Sequence, residues 1–238
     1  MVIKFEFILK LFVVCFIIIS CSRTHYITPV SMIRPDTSFK VNDDEIKKAF
    51  ETKPQLPMPI NIALYTAGTS IQGLADSIRK IPGVANVFEI SPGLVEGDSY
   101  YTKRLSRWYD TYSQPVTTNL KQLRYLAAQG KADLLIYCGT THISKLKSNY
   151  FTWTYIFVVT MLFVPGQDYE LTSNMDGFFI DVRNGFLYGT FNGSERSFKK
   201  YVLLNYEDDD SKDANTNQIL SDFLSSVRNL LANKEFYK

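Results

Sequence analysis

With only two histidines and three cysteines in 238 residues, the chain has little to offer a metal ion or a nucleophilic mechanism. It also lacks a charge excess. Lysine and arginine number 26 against 24 aspartates and glutamates, a net of +2 that is far too balanced for phosphate-backbone binding, so no nucleic-acid partner is expected. Twelve glycines and nine prolines rule out collagen-like and low-complexity chains. No stretch recurs at the intervals of solenoids or propellers. A run of about 20 apolar residues, the length a membrane-spanning helix needs, is missing as well. What is present is the composition of a folded protein, 45% hydrophobic and 14% aromatic, in a length that fits one medium-sized domain with additions.

The N-terminus is the most informative stretch. Lys4 and Lys10 precede the apolar run Leu11–Ile19, which ends at Ser20-Cys21-Ser22 and has the length of a secretory signal core. An exported precursor is expected. The segment Ile18-Ile19-Ser20-Cys21 resembles the bacterial lipobox, two aliphatic residues and a small one before a cysteine. That resemblance implies cleavage between Ser20 and Cys21 and acylation of Cys21 by fatty acids such as palmitate, with Ser22 fitting an outer-membrane sorting signal. Each buried methylene adds roughly 0.8 kcal/mol and stable anchoring takes two or more chains, so such a modification would hold the protein at a membrane. An ordinary signal peptide with an incidental Cys21 is the other reading. Cleavage removes Cys15 and lipid occupies Cys21, which leaves Cys138 as the last thiol and permits no internal disulfide.

Three regions follow: residues 1–20 as signal peptide, 21–59 as a tether containing five prolines, and 60–238 as a single α/β domain. Within the tether, Ile46 and Phe50 place a short helix at Asn42–Glu51. The domain opens as a βαβ unit, with strands Ile60–Ala67 and Val84–Ile90 around a helix whose apolar residues are Ile71, Leu74, Ile78 and Ile81. Thr69 or Ser70 is expected to cap that helix. A helix over Leu120–Gln129, capped by Thr117 or Thr118, feeds a strand over Ala132–Cys138, and helix content is also expected at Asp98–Tyr112. The second half reads as antiparallel. Thr154–Val164 is an eleven-residue apolar run that suits a central strand covered on both faces. Asn184-Gly185, between strands Asp176–Arg183 and Phe186–Phe191, predicts a type I′ hairpin that sets Asp181 opposite Tyr188. An acidic loop, Glu207–Asp213, precedes a C-terminal amphipathic helix bearing Ile219, Phe223, Val227, Leu230 and Leu231, which is expected to dock on its own sheet. The fold class is therefore a mixed α/β sheet with helices packed on it.

The phrases Ala128–Ile136 and Ile180–Gly185, in this order of elements, resemble the α/β domain of envelope lipoproteins related to the curli secretion protein CsgG and the N-terminal domain of TolB. Tyr150–Gly193 is also similar to the rhombotarget lipoproteins, although their apolar C-terminal sorting tail is absent. The resemblance covers about residues 60–200 and implies an accessory or assembly role in the bacterial envelope, anchored at the outer membrane and facing the periplasm.

Catalytic constellations are sparse. Cys138 and His142 stand four residues apart, about 13 Å along a strand at roughly 3.3 Å per residue, so they pair only if Gly139-Thr140-Thr141 turns the chain back. His25 reads as solvated tether, the acidic loop lacks the pattern of a calcium-binding loop, and Asp181 with Arg183 reads as a surface ion pair. No catalytic residue, cofactor or metal site is expected. Two function classes remain. The first is a non-catalytic scaffold that meets the membrane through acylated Cys21 and an envelope protein through the aromatics Tyr100, Tyr101, Trp108, Tyr109 and Tyr112. The second is a periplasm-facing hydrolase using carboxylates in a strand-end pocket.

Overall fold

In the computed structural model, residues 23–26, 43–67, 71–96, 119–156, 158–202 and 209–237 are described. The lipobox, the aromatic set Tyr100–Tyr112 and the expected caps Thr69, Ser70, Thr117 and Thr118 lie outside them. The strands are β1 (Arg23–Tyr26), β2 (Ile60–Ala67), β3 (Val84–Glu89), β4 (Leu134–Ser148), β5 (Gln167–Asp181) and β6 (Leu187–Tyr201). The α-helices are α1 (Asp43–Glu51), α2 (Leu74–Arg79), α3 (Pro92–Glu96), α4 (Leu120–Gln129) and α5 (Asp209–Ala232). They build a mixed sheet of order β3-β2-β4-β5-β6, with β1 added antiparallel to β4. The α/β class expected from the sequence is the one found.

The chain forms two compact units, and β4, β5, β6 and α5 each contribute a segment to both. The larger unit comprises Thr28–Thr141, Asn174–Ser194 and Gln218–Lys238. Its centre is the parallel trio β3-β2-β4, with Ile62 opposite Val87 on one side and Leu134 on the other. Side chains alternate along these strands into two cores. Ile60, Ile62 and Leu64 of β2, with Leu134, Ile136 and Cys138 of β4, face Leu74 and Ile78 of α2 and Ile219, Phe223 and Val227 of α5. Ala63, Tyr65 and Ala67, with Leu135 and Tyr137, face Leu123 and Ala127 of α4. A strand buried on both faces must be apolar at nearly every position, which is why LLIYC reads as an unbroken run and INIALYTA is interrupted only at half-buried Asn61 and Thr66.

Helix starts differ from expectation where a nearer residue does the capping. The side chain of Asn119 caps α4 by accepting from the Lys121 amide. Gly73, at φ 77°, is the N-cap of α2, which starts at Leu74, three residues beyond Ile71, without a side-chain cap. In the stretch read as tether, α1 forms at the place expected but buries none of its residues, and Phe50 is exposed. The packed unit starts by Leu56, which is fully buried and donates its amide to the Phe236 carbonyl.

The smaller unit contains β1, His142–Ser173 and Glu195–Asn217. Here the expectation of a central strand at Thr154–Val164 fails: the segment forms 3₁₀ turns over Tyr150–Ile156 and Val158–Leu162. The physical reason lies in the sheet. Strands β4 and β5 pair with each other, so the residues between them connect two neighbouring strands and leave the sheet as an excursion. The acidic loop is also revised, because Asp209–Asp213 form the opening turns of α5, where carboxylates meet the positive end of the helix dipole.

The β5–β6 turn falls where Asn-Gly predicted it, but with a wider form. The Asp181 amide donates to the Phe186 carbonyl, and the Gly185 amide to the Asp181 carbonyl, closing a loop over residues 182–185. Only Gly185 has positive φ, 80°, where a type I′ turn needs two such residues.

Phe223 is central to the first core, its ring centroid 5.2 Å from that of Phe191 and 5.8 Å from that of Phe179. A Cβ on Gly177 would lie 3.0 Å from the same ring, so the space is already filled. Phe223→Ala is expected to lower unfolding free energy by about 3–5 kcal/mol in a urea titration, whereas Phe50→Ala on exposed α1 leaves it within about 0.5 kcal/mol.

Candidate functional site

In the larger unit, described polar side chains gather where β4 begins and β5 ends. Asp133 is buried, with one carboxylate oxygen accepting from the Asn61 amide at 3.1 Å and the other meeting the Arg183 guanidinium. Asp181 is 1% exposed. Its Oδ1 accepts from the amides of Arg183 (2.8 Å) and Asn184 (3.2 Å), and its Oδ2 accepts from the Tyr188 hydroxyl at 2.8 Å. Arg124 adds its guanidinium to the carbonyls of Val182 and Arg183. The expected surface pair between Asp181 and Arg183 is thus corrected: Asp181 organises the turn backbone, and the Arg183 side chain turns to Asp133. That backbone grip also widens the hairpin. Tyr188 accepts from the Gln55 amide at 3.1 Å, and burial, with the Asp181 hydrogen bond adding to it, pushes its hydroxyl pKa up.

The thiol and imidazole are separated by the run of β4 that carries both. Gly139-Thr140-Thr141 stay in the strand, so no turn brings them together. Cys138 lies within the first core, where desolvation pushes its pKa up to about 12 and keeps it protonated. His142 belongs to the smaller unit, where Nδ1 stands 2.9 Å from the Ser173 hydroxyl, a group that Asn215 also approaches. Burial lowers its pKa, Lys212 lowers it further and Asp213 opposes both. His25, read as solvated, lies on β1 with its backbone opposite Ser144.

The smaller unit also carries features that sequence reading missed. A groove of about 470 Å³ is lined by Lys145 and Lys147 of β4, Asp168 and Glu170 of β5, and Lys199 and Lys200 of β6. The excursion between β4 and β5 exposes Tyr150, Phe151, Trp153, Val159, Leu162 and Phe163. Its base is firmly tied: Asn149 donates to the Pro165 carbonyl and to Asp168, Tyr155 donates to the Val164 carbonyl and accepts from the Gly166 amide, and Thr152 donates to the Gly166 carbonyl. Alternating lysines at 145 and 147 were the available signal for the groove. The apolar run 154–164 is visible in the sequence, and its exposure is what a sequence window does not contain.

No family model and no curated protein matches the chain. Solved structures give distant likenesses. A PelC dodecamer from Paraburkholderia phytofirmans is 13% identical over 76% of this chain and 96% of that one, at a TM-score of 0.35. Lipoprotein GNA1162 from Neisseria meningitidis is 16% identical over 74% and 100%, at 0.28. Protein XCC0632 from Xanthomonas campestris is 10% identical over 84% and 90%, at 0.25. At such values these likenesses assign neither fold nor function to this chain.

Two measurements check the site. Tyr188→Phe strips Asp181 of a donor and the Gln55 amide of its acceptor, and should lower stability by about 1–3 kcal/mol in a denaturant titration. For His142, the unfolded imidazole takes up its proton near pH 6.5 and the folded one only at lower pH, so stability is full above the ordinary value and falls as pH drops through it. His142→Gln should flatten that fall, whose limiting slope for one proton is about 1.4 kcal/mol per pH unit, in urea titrations between pH 7.5 and pH 5, a window set by the same ordinary value.

Proposed function

We propose that this chain is a lipid-anchored, non-catalytic accessory protein of the bacterial cell envelope, held at the outer membrane through acylated Cys21 and facing the periplasm. One observation carries the non-catalytic part: the described groups best suited to acid, base or nucleophilic work are already committed to architecture. Asp133 and Asp181 each have both carboxylate oxygens engaged, His142 is bonded to Ser173, and Cys138 is sealed in an apolar core. A general base must reach a substrate proton, and groups so occupied do not meet that need.

The anchoring part rests on the leader and on Ile18-Ile19-Ser20-Cys21. Among the described residues no helix is long and apolar enough to cross a membrane. The resemblance to envelope lipoproteins of the curli-secretion and TolB type belongs to this reading, as does an envelope protein partner meeting Tyr100, Tyr101, Trp108, Tyr109 and Tyr112.

Fractionation of cells expressing the full chain tests the anchor. Wild type should sediment with membranes and resist extraction by high salt and alkaline carbonate, and Cys21→Ala should lose most of that resistance. Equal retention of the two proteins would remove Cys21 as the anchor.

A further inference from the structure

We infer that the excursion between β4 and β5 is a second membrane contact, inserting its apolar side chains into the outer part of a bilayer while the lysines beside it meet anionic headgroups. Three features of the smaller unit converge on this occupant.

The first is the excursion. Tyr150, Phe151, Trp153, Val159, Leu162 and Phe163 lie within fourteen residues and are between 45% and 83% exposed. An exposed apolar group of this size marks a contact surface. Trp and Tyr beside aliphatic residues suit the boundary between headgroups and acyl chains, where an amphipathic ring keeps its polar end wet. The tied neck at Asn149, Thr152 and Tyr155 holds the segment outward before any partner arrives, so little ordering cost remains.

Charge is the second. Lys145, Lys147, Lys199 and Lys200 line the groove on the same ends of β4 and β6, against Asp168 and Glu170. The acids are engaged, Asp168 by Asn149 and Glu170 by Arg196 at 3.9 Å. A net positive surface beside an apolar projection complements an anionic bilayer, and each lysine near such a surface contributes about a fivefold gain in binding.

The third is the position of the anchor. β1 runs antiparallel to β4, and its first residue, Arg23, pairs with Leu146, four residues before the excursion begins at Tyr150. Cys21 is two residues earlier in the chain, and two residues reach at most about 7 Å. An acyl group on Cys21 therefore enters the bilayer close to the neck of the excursion. This third feature rests on the anchored reading; the first two do not.

The test uses the mature chain from residue 21 with Cys21→Ala, so that no acyl group contributes, and with Trp108→Phe, so that Trp153 is the sole tryptophan. Titration with phosphatidylcholine–phosphatidylglycerol vesicles should shift Trp153 emission to the blue, and bromine-labelled acyl chains should quench it. Phe151→Ser with Phe163→Ser should weaken vesicle binding about a hundredfold, since each ring withdrawn from water is worth about tenfold. Lys145→Gln with Lys147→Gln should weaken it on anionic vesicles and leave pure phosphatidylcholine unaffected. Circular dichroism should show the serine and glutamine variants as folded as the parent, because Phe151, Phe163, Lys145 and Lys147 are exposed. Unshifted, unquenched Trp153 on every vesicle overturns the inference, as does equal binding by the serine variant. Sedimentation velocity showing a dimer that the serine variant dissolves, without vesicle binding, would assign the surface to a second copy instead. Failure of acylation in cells leaves these outcomes unchanged, so the two claims fail separately.

Discussion

Burial of β2 and β4 on both faces is the constraint from which the rest of the larger unit follows. Alternate side chains of β2 and of Leu134–Cys138 in β4 enter opposite cores, so the middle of these two stretches is closed to polar groups in contact with water. Polar chemistry is pushed to the strand ends, and there it must be satisfied, since an unpaired buried polar group costs about 1–3 kcal/mol. Asp133 and Asp181 sit at those ends and are consumed in joining Asn61, Arg183, Asn184 and Tyr188. Cys138 is the counterpart in the middle of a strand, unionised because nothing near it stabilises a charge. A sheet built this way is a platform, and it offers function at the surfaces that leave it.

The parts of this architecture that local chemistry determines were legible in the sequence. The limits of β2 and α4 agree with the sequence reading to the residue, and the parallel βαβ unit agrees in its order of elements, because strands buried on both faces leave continuous apolar runs and helices leave a three-to-four spacing. The same criterion misread Thr154–Val164. That run is as apolar and β-branched as a central strand, and what separates the two is which strands pair in the assembled sheet, where β4 and β5 are already neighbours. The Asn184-Gly185 signal located the turn correctly, but the Asp181 carboxylate, by taking the two following amides, selected a wider loop than the dipeptide alone prefers. Asp209–Asp213 carry a legible cue, acids ahead of an amphipathic run, yet a cluster of like charges is equally the mark of a solvated loop.

Site features were harder to read than fold features for a related reason. The Arg183 partner, Asp133, lies 50 residues away along the chain, whereas proximity in sequence favoured Asp181. The separation of Cys138 from His142 followed from strand geometry and held, since it needed no knowledge of distant residues. The exposed ring set at Tyr150–Phe163 shows the limit most clearly: its composition was visible, its solvent exposure was not.

The claim on which the functional account turns is covalent, and mass spectrometry of the N-terminal peptide from protein isolated out of bacterial membranes addresses it directly. The account predicts a peptide that starts at Cys21 and carries the added mass of a thioether-linked diacylglycerol with an acylated amine. A peptide that retains residues before Cys21, or that starts elsewhere with an unmodified cysteine, would contradict it.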